Sequence, residues 1–123
     1  MTVQYAPTLT NTILASGART ALVGATDLQV PDGCEMVEVL IKSTAQTASP
    51  TLTFTIKDAD GYTLLASAAV DFTSAVSMVL RYGLNVTPVA NLAAQGIPTT
   101  GMTVAVAVGD TDSCTYSINC RTT

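Results

Sequence analysis

A chain of 123 residues with 48% apolar and 11% charged side chains has the size of one folded domain and too little charge for a disordered segment. Its net charge of −4, with five basic residues and no run of them, argues against nucleic-acid binding, which needs clustered cations. No apolar stretch approaches the roughly 20 residues of a membrane helix, and residues 1–7 lack the basic opening and apolar middle of a signal peptide.

The first 17 residues, rich in Thr, Asn and Ala, predict an extended N-terminal arm, followed by a single β-sandwich domain over residues 18–123. The arm is too polar to fold alone, and its apolar positions could add to the edge of a sheet on a neighbouring copy. A disordered terminus is the alternative. The interface candidates are Tyr5, Leu9, Ile13 and Leu14 in the arm and Tyr82 beyond it, with an ordinary core or rim position as the alternative for both tyrosines.

Alternation of apolar and polar side chains with period two is the dominant pattern, and it predicts strands. The clearest segments are residues 35–42, 51–57, 75–82, 102–108 and 114–121, with further candidates at 19–24 and 62–67. The side chains predicted to face the core are Val37, Val39, Ile41, Leu52, Phe54, Ile56, Val76, Met78, Leu80, Tyr82, Met102, Val104, Val106, Val108, Cys114, Tyr116, Ile118 and Cys120. About seven strands with little helix predict an all-β fold, an antiparallel sandwich or jelly roll.

Residues 86–96 are the one place where a helical turn competes with a loop. Thr87 could cap such a turn, Pro88 suits its first position and Gly96 its end. The sequence leaves both structures open.

Acidic residues come in pairs at two predicted hairpin turns. Asp58 and Asp60 precede Gly61, which supplies a positive φ, and Asp110 and Asp112 lie between the last two strands. Calcium is the alternative ligand for these four carboxylates, because it takes oxygens from alternate loop positions. Turn chemistry is favoured, since an EF-hand loop would need further ligands and a closing glutamate. We therefore expect no metal and no cofactor.

Three cysteines, an odd number, argue against a disulfide framework. Cys114 and Cys120 lie about 20 Å apart if they share one strand, which is too far for a disulfide. Cys34 could pair with either only if their strands were neighbours. The interpretation is three small buried hydrophobes in a reducing cytoplasm, and the absence of CxxC and of histidine gives no zinc site.

Catalysis is not expected from this sequence. The chain has no histidine, which removes the usual general base and the Ser-His and Cys-His dyads. It has no phosphate-binding glycine motif, and its acids lie at turns rather than facing a cleft. We predict a protein that is not an enzyme.

Four segments are similar to small β-rich virion proteins of tailed bacteriophages. They are SPTLTFTI at residues 49–56, GYTLLASAA at 61–69, LRYG at 80–83 and GDTDSCTYS at 109–117. In those proteins a strand of this type precedes a YTLLASAA hairpin, and a DxDSxTYS turn precedes the last strand. The resemblance covers about residues 49–120, and its motifs are structural.

The resemblance implies a capsid decoration or cement protein on the outer surface of the phage head, made in the bacterial cytoplasm. Its implied partners are the major capsid protein and its own copies, as a homotrimer at local threefold axes, with neither nucleic acid nor membrane. One alternative is another virion component, in the tail, neck or fibre. The other is an adhesion sandwich that binds calcium or carbohydrate, which is less favoured because sugar sites use aromatic platforms and the chain has no tryptophan.

Overall fold

The structure, a computed structural model, describes the backbone of residues 10–21, 26–45, 51–108 and 114–122 and the side chains of residues 29–45, 51–107 and 116–122. Ten strands and no helix are present in this described part of the chain. The strands are β1 (Thr10–Ala21), β2 (Thr26–Gln29), β3 (Met36–Ser43), β4 (Thr51–Lys57), β5 (Thr63–Ala66), β6 (Val70–Asp71), β7 (Val76–Gly83), β8 (Ala93–Gln95), β9 (Thr103–Val108) and β10 (Cys114–Thr122).

Two sheets form a sandwich. Sheet A has the order β1-β10-β3-β7-β8, and sheet B has the order β2-β9-β4-β5, with β6 also paired to β4. All these pairs are antiparallel except β7 with β8, which are parallel. The prediction of an all-β, mostly antiparallel fold is confirmed. Among the described residues there is no helix long and apolar enough to cross a membrane.

The period-two pattern correctly assigns the inward faces. Strand β4 occupies the predicted residues, and its alternate side chains Leu52, Phe54 and Ile56 are fully buried. The same holds for the predicted inward residues of β3 and of the described part of β10, whereas Val76 and Met78 at the start of β7 are only half-buried against the core. Branched aliphatic side chains suit this arrangement because they pack well on a pleated surface.

Three aromatic rings join the two sheets at the centre of the core. Phe54 of β4 lies 5.9 Å, centroid to centroid, from Tyr116 of β10, with the rings at 80°. Phe72, just after β6, stacks 6.2 Å from Phe54 and lies 6.4 Å from Tyr116. Edge-to-face and offset contacts of this kind add stability beyond the area they bury. The three rings therefore connect β4 of sheet B with β10 of sheet A.

Strand β4 changes partner at Phe54, and Ser67 bridges the change. β5 pairs with residues 55–57 of β4 and β6 pairs with residues 51 and 52. Between them, the Phe54 amide donates to the Ser67 hydroxyl at 2.9 Å, and the Ser67 amide donates to the Phe54 carbonyl at 2.8 Å. The hydroxyl in turn donates to the carbonyl of Ala68 at 2.8 Å. The hydroxyl of a buried serine therefore accepts from the Phe54 amide at the point where β4 passes from one partner strand to the other.

Residues 86–96 form a loop and a short strand. The sequence left a helical turn and a loop open for this segment, and the structure has the loop. The amides of Val89 and Ala93 each donate to the other residue's carbonyl, at 3.0 and 2.9 Å, and Asn91 between them has a φ of 62°. Asparagine is one of the residues that tolerate this left-handed conformation. Because Ala93 is the first residue of β8, the bridge joins this loop to the edge strand of sheet A.

Strand β1 crosses the predicted boundary between arm and sandwich at residues 17 and 18. It pairs with β10 from Thr10 to Ala21, with two register shifts on the way. Residues 10–17 are therefore part of sheet A in their own chain. Residues 1–9, which include Tyr5 and Leu9, lie outside the described residues, as do the side chains of Ile13 and Leu14, so for them the arm stays a prediction.

Candidate interaction surface

The turn after β4 uses its first aspartate to hold the backbone. The Asp58 carboxylate accepts from the amides of Asp60 and Tyr62, both at 2.9 Å, and the Gly61 amide donates to the Asp58 carbonyl at 3.1 Å. Gly61 has a φ of 86°, as the turn pattern predicts. The turn interpretation of Asp58 is confirmed. Asp60 is exposed beside it.

The calcium alternative falls partly beyond the described residues, because Asp110 and Asp112 lie outside them. Within residues 29–45, 51–107 and 116–122, no three His, Cys, Asp or Glu side chains come together as metal ligands do. Val108, the last described residue before Asp110, pairs with Leu52 at the other end of β4 from Asp58, so the register gives no support to a calcium site shared between the two turns, which was the less favoured alternative.

Tyr82 lies in the core rather than on the free surface. Its side chain is 6% exposed, packs directly on Gly96, and donates its hydroxyl to the Ile97 carbonyl at 3.5 Å. Burial, with a smaller contribution from the charge of Asp58, raises the pKa of the phenol. The interface role predicted for Tyr82 is thus replaced by the core position that was its alternative, because the chain after β8 folds over the ring.

The two described cysteines are free thiols in different settings. Cys120 is fully buried opposite Val39, and desolvation raises its pKa from the ordinary 9.0 to about 12. Cys34 is half-buried, its pKa is raised chiefly by desolvation, and its thiol points to the Pro31 carbonyl at 3.8 Å. Cys120 is the small buried hydrophobe that the sequence predicts. Cys114 lies outside the residues whose side chains are described.

An apolar groove of about 600 Å³ opens at the end of the sandwich where β3 begins and β7 ends. Two of its lining side chains are largely exposed, Ile97 at 69% and Leu84 at 54%. The lining residues are Cys34, Glu35, Met36, Leu84, Asn85, Val86, Ile97 and Pro98. Large apolar side chains gathered in this way are typical of contact sites.

Four carboxylates lie at the same end of the molecule. Glu35 is exposed in the groove wall. Asp32 accepts from the Gly101 amide at 3.0 Å, and Gly101 lies against Ala59 in the turn that carries Asp58 and Asp60. We call this surface, the groove with Asp32, Glu35, Asp58 and Asp60, the acidic end.

The outer face of sheet A carries the opposite charge. The register places Arg121 of β10 and Arg81 of β7 on either side of Glu38 of β3. Glu38 is nearly buried between them, with carboxylate oxygens 2.6 Å from an Arg121 Nη atom and 3.5 Å from Arg81 Nε. Lys42 is exposed on the same face. We call this surface, which also includes the half-buried Leu40 and Val79, the basic face.

Sequence reasoning misses both surfaces. The basic face is assembled from three strands far apart in the chain, and only their register brings its charges into one row. The acidic end depends on loops whose apolar residues follow no period. The one available signal is the even-numbered row of β3, Glu38, Leu40 and Lys42, which alternation places on a single outward face.

No protein-family model matches the chain, and no curated protein matches it. Among solved structures, the chain is similar to a chain in the structure of infectious bursal disease virus Gx strain, with a TM-score of 0.38 and 14% sequence identity. The match covers 93% of this chain and 31% of the other, so this chain spans about a third of that one.

Proposed function

We propose that this chain is a non-enzymatic virion structural protein of a tailed bacteriophage, and specifically a capsid decoration or cement protein that binds the head. The four segments similar to phage virion proteins support the proposal, together with the order of the strand, hairpin and turn segments along the chain. The structural observation that carries it is the exposure of large apolar side chains at one end and one edge of the sandwich. These are Leu84 and Ile97, with Val89 at 50% and Leu92 at 45% exposure.

Exposed apolar side chains favour binding, because a partner that covers them removes apolar area from water. Complete burial of a large aliphatic side chain contributes roughly 1.5–3 kcal/mol. These four side chains are 45–69% exposed, so each still has about half of that to gain from a partner. The charged residues are few, and two of the five basic ones are already bound to Glu38. Apolar contacts with coat subunits and with other copies would cover the groove.

The N-terminal segment belongs to the same proposal. Residues 2–9 precede β1, and their apolar members Tyr5 and Leu9 are proposed to reach a neighbouring subunit. The proposed partners are the major capsid protein and two further copies in a homotrimer, on the outer surface of the virion after synthesis in the host cytoplasm.

The test adds purified chain to expanded phage heads that lack it. We expect density for the sandwich at regular positions on the head lattice and a higher temperature of head rupture. A chain lacking residues 2–9 should fold as before and bind the heads less. Density for the protein in the tail, neck or fibres, with none on the head, would contradict the decoration role and support the alternative virion role.

A further inference from the structure

We infer that copies of this chain associate head to tail, with the acidic end of one copy bound to the basic face of the next. The inference rests on the proposed function and deepens it, because it names the surfaces through which the copies of the assembly meet.

Charge separation within the chain is the first argument. The basic face holds three of the five basic residues and one acid, a net charge of +2. The whole chain carries −4, so the rest of it carries −6. Four of those acids lie at the acidic end. A protein of this kind repels itself in most orientations and attracts itself when these two surfaces meet.

Charged side chains on the two surfaces are free to make the contact. Glu35 is exposed at the groove, and Asp60 is exposed in its turn. Lys42 is exposed on the basic face and has no ion pair among the described residues. Arg81 has half of its side chain exposed, so it can bind Glu38 and a neighbouring carboxylate together.

Apolar groups complement each other as well. The acidic end presents Ile97 and Leu84, and the basic face presents Leu40 and Val79 between Lys42 and the two arginines. Each surface therefore has an apolar middle with charges beside it, which is the composition of a specific interface.

The two surfaces differ, so the contact is heterologous. Such contacts close into rings when the rotation between neighbours divides a full turn. A ring of three would leave no acidic end and no basic face uncovered. This is the arrangement by which the proposed homotrimer would form.

A charge exchange tests the inference. Glu35→Lys and Lys42→Glu should each weaken self-association about tenfold, measured by sedimentation velocity, because each puts like charges across the contact. The double variant Glu35→Lys/Lys42→Glu should restore it, since every contact then has its charges exchanged and the net charge is that of the wild type. Circular dichroism should show all three folded, because both side chains are exposed.

Matched controls come from Ala69, an exposed residue before β6, at the other end of β4 from the acidic turn. Ala69→Lys and Ala69→Glu should leave self-association within about twofold of the wild type, since they change net charge without touching either surface.

Ile97→Ser should weaken association even at high salt, where the charge effects are screened.

Three results would overturn the inference. They are a chain that remains monomeric at about millimolar concentration, a symmetric dimer that grows no further, and a double variant no better than its single parents. Head binding is measured separately on the same proteins. Retained head binding with failed self-association would remove the head-to-tail contact and leave the proposed function standing, whereas intact self-association without head binding would do the reverse.

Discussion

The centre of the sandwich and residues 84–98 are both apolar, yet one is buried and the other largely open. In β4 and β10 every second side chain is apolar, and Phe54, Ile56, Tyr116 and Ile118 are almost fully enclosed. In residues 84–98 the apolar side chains follow no period, and four of the large ones are 45–69% exposed. Spacing, more than hydrophobicity, decides which side chains reach the core.

The physical reason lies in the backbone of the second region. Pro88, Asn91 and Pro98 punctuate it, and β8 has only three residues. A strand this short directs one side chain, Ala94, to the core. Val86 is also buried, whereas Leu84, Val89, Leu92 and Ile97 keep about half or more of their side-chain area in solvent. Four changes would break or sharpen this contrast.

Phe54→Asp should have the largest effect and unfold the domain. Loss of the ring removes about 3–5 kcal/mol of packing, and an unpaired carboxylate in the core adds a cost of several more. The matched control is Ala107→Asp on β9, exposed on the other face of sheet B, which should change the free energy of unfolding by about 0.5 kcal/mol or less. Urea denaturation followed by circular dichroism measures both. A folded Phe54→Asp protein would place the core elsewhere.

Ser67→Ala should lower the free energy of unfolding by about 1–3 kcal/mol. It leaves the Phe54 amide buried without an acceptor at the point where β4 changes partner. Ser74→Ala, at an exposed turn, is the control and should be near neutral. Equal midpoints for the two variants would mean that the Phe54 amide finds another acceptor.

At alkaline pH, Cys120 and Cys34 should contribute differently to the fall of the free energy of unfolding with pH. An unfolded cysteine ionises near its ordinary pKa of 9.0, whereas folded Cys120 holds its proton until about pH 12, so stability is unaffected below pH 9 and falls between these values. Cys120→Ala should flatten that fall more than Cys34→Ala does. Part of the slope should remain, because the pKa of Tyr82 is raised too. Urea midpoints across this pH range measure the slopes, and equal slopes for both variants would contradict the difference in burial.

Ile97→Ser should have the smallest effect on folding, within about 0.5 kcal/mol, because the side chain is already in solvent. Thermal unfolding measures it, with Ile118→Ser from the core as the contrasting variant, which should cost several times more. A large loss for Ile97→Ser would show that the groove residues support the fold as well as contacts.

The sequence predicts much of the sandwich and little of its surfaces. Period two is a local property, so the five clearest strands and the burial of residues such as Phe54 and Ile41 follow from it. Register between distant strands is not local, and it alone places Arg121 and Arg81 beside Glu38. Tyr82 shows the same limit, since its ring is covered by a loop that begins more than a strand length later in the chain.

The bridge between Val89 and Ala93 bears on how the protein avoids aggregation through the edge of sheet A. Both main-chain groups of Ala93 are bonded to Val89 of its own loop, so at this position the edge of sheet A offers no backbone group to a foreign strand. Copies that meet on this side must recognise one another through side chains, which are selective, rather than through main-chain pairing, which any chain can supply. Ala93 is thereby unavailable for the edge-to-edge strand pairing that fibril growth requires.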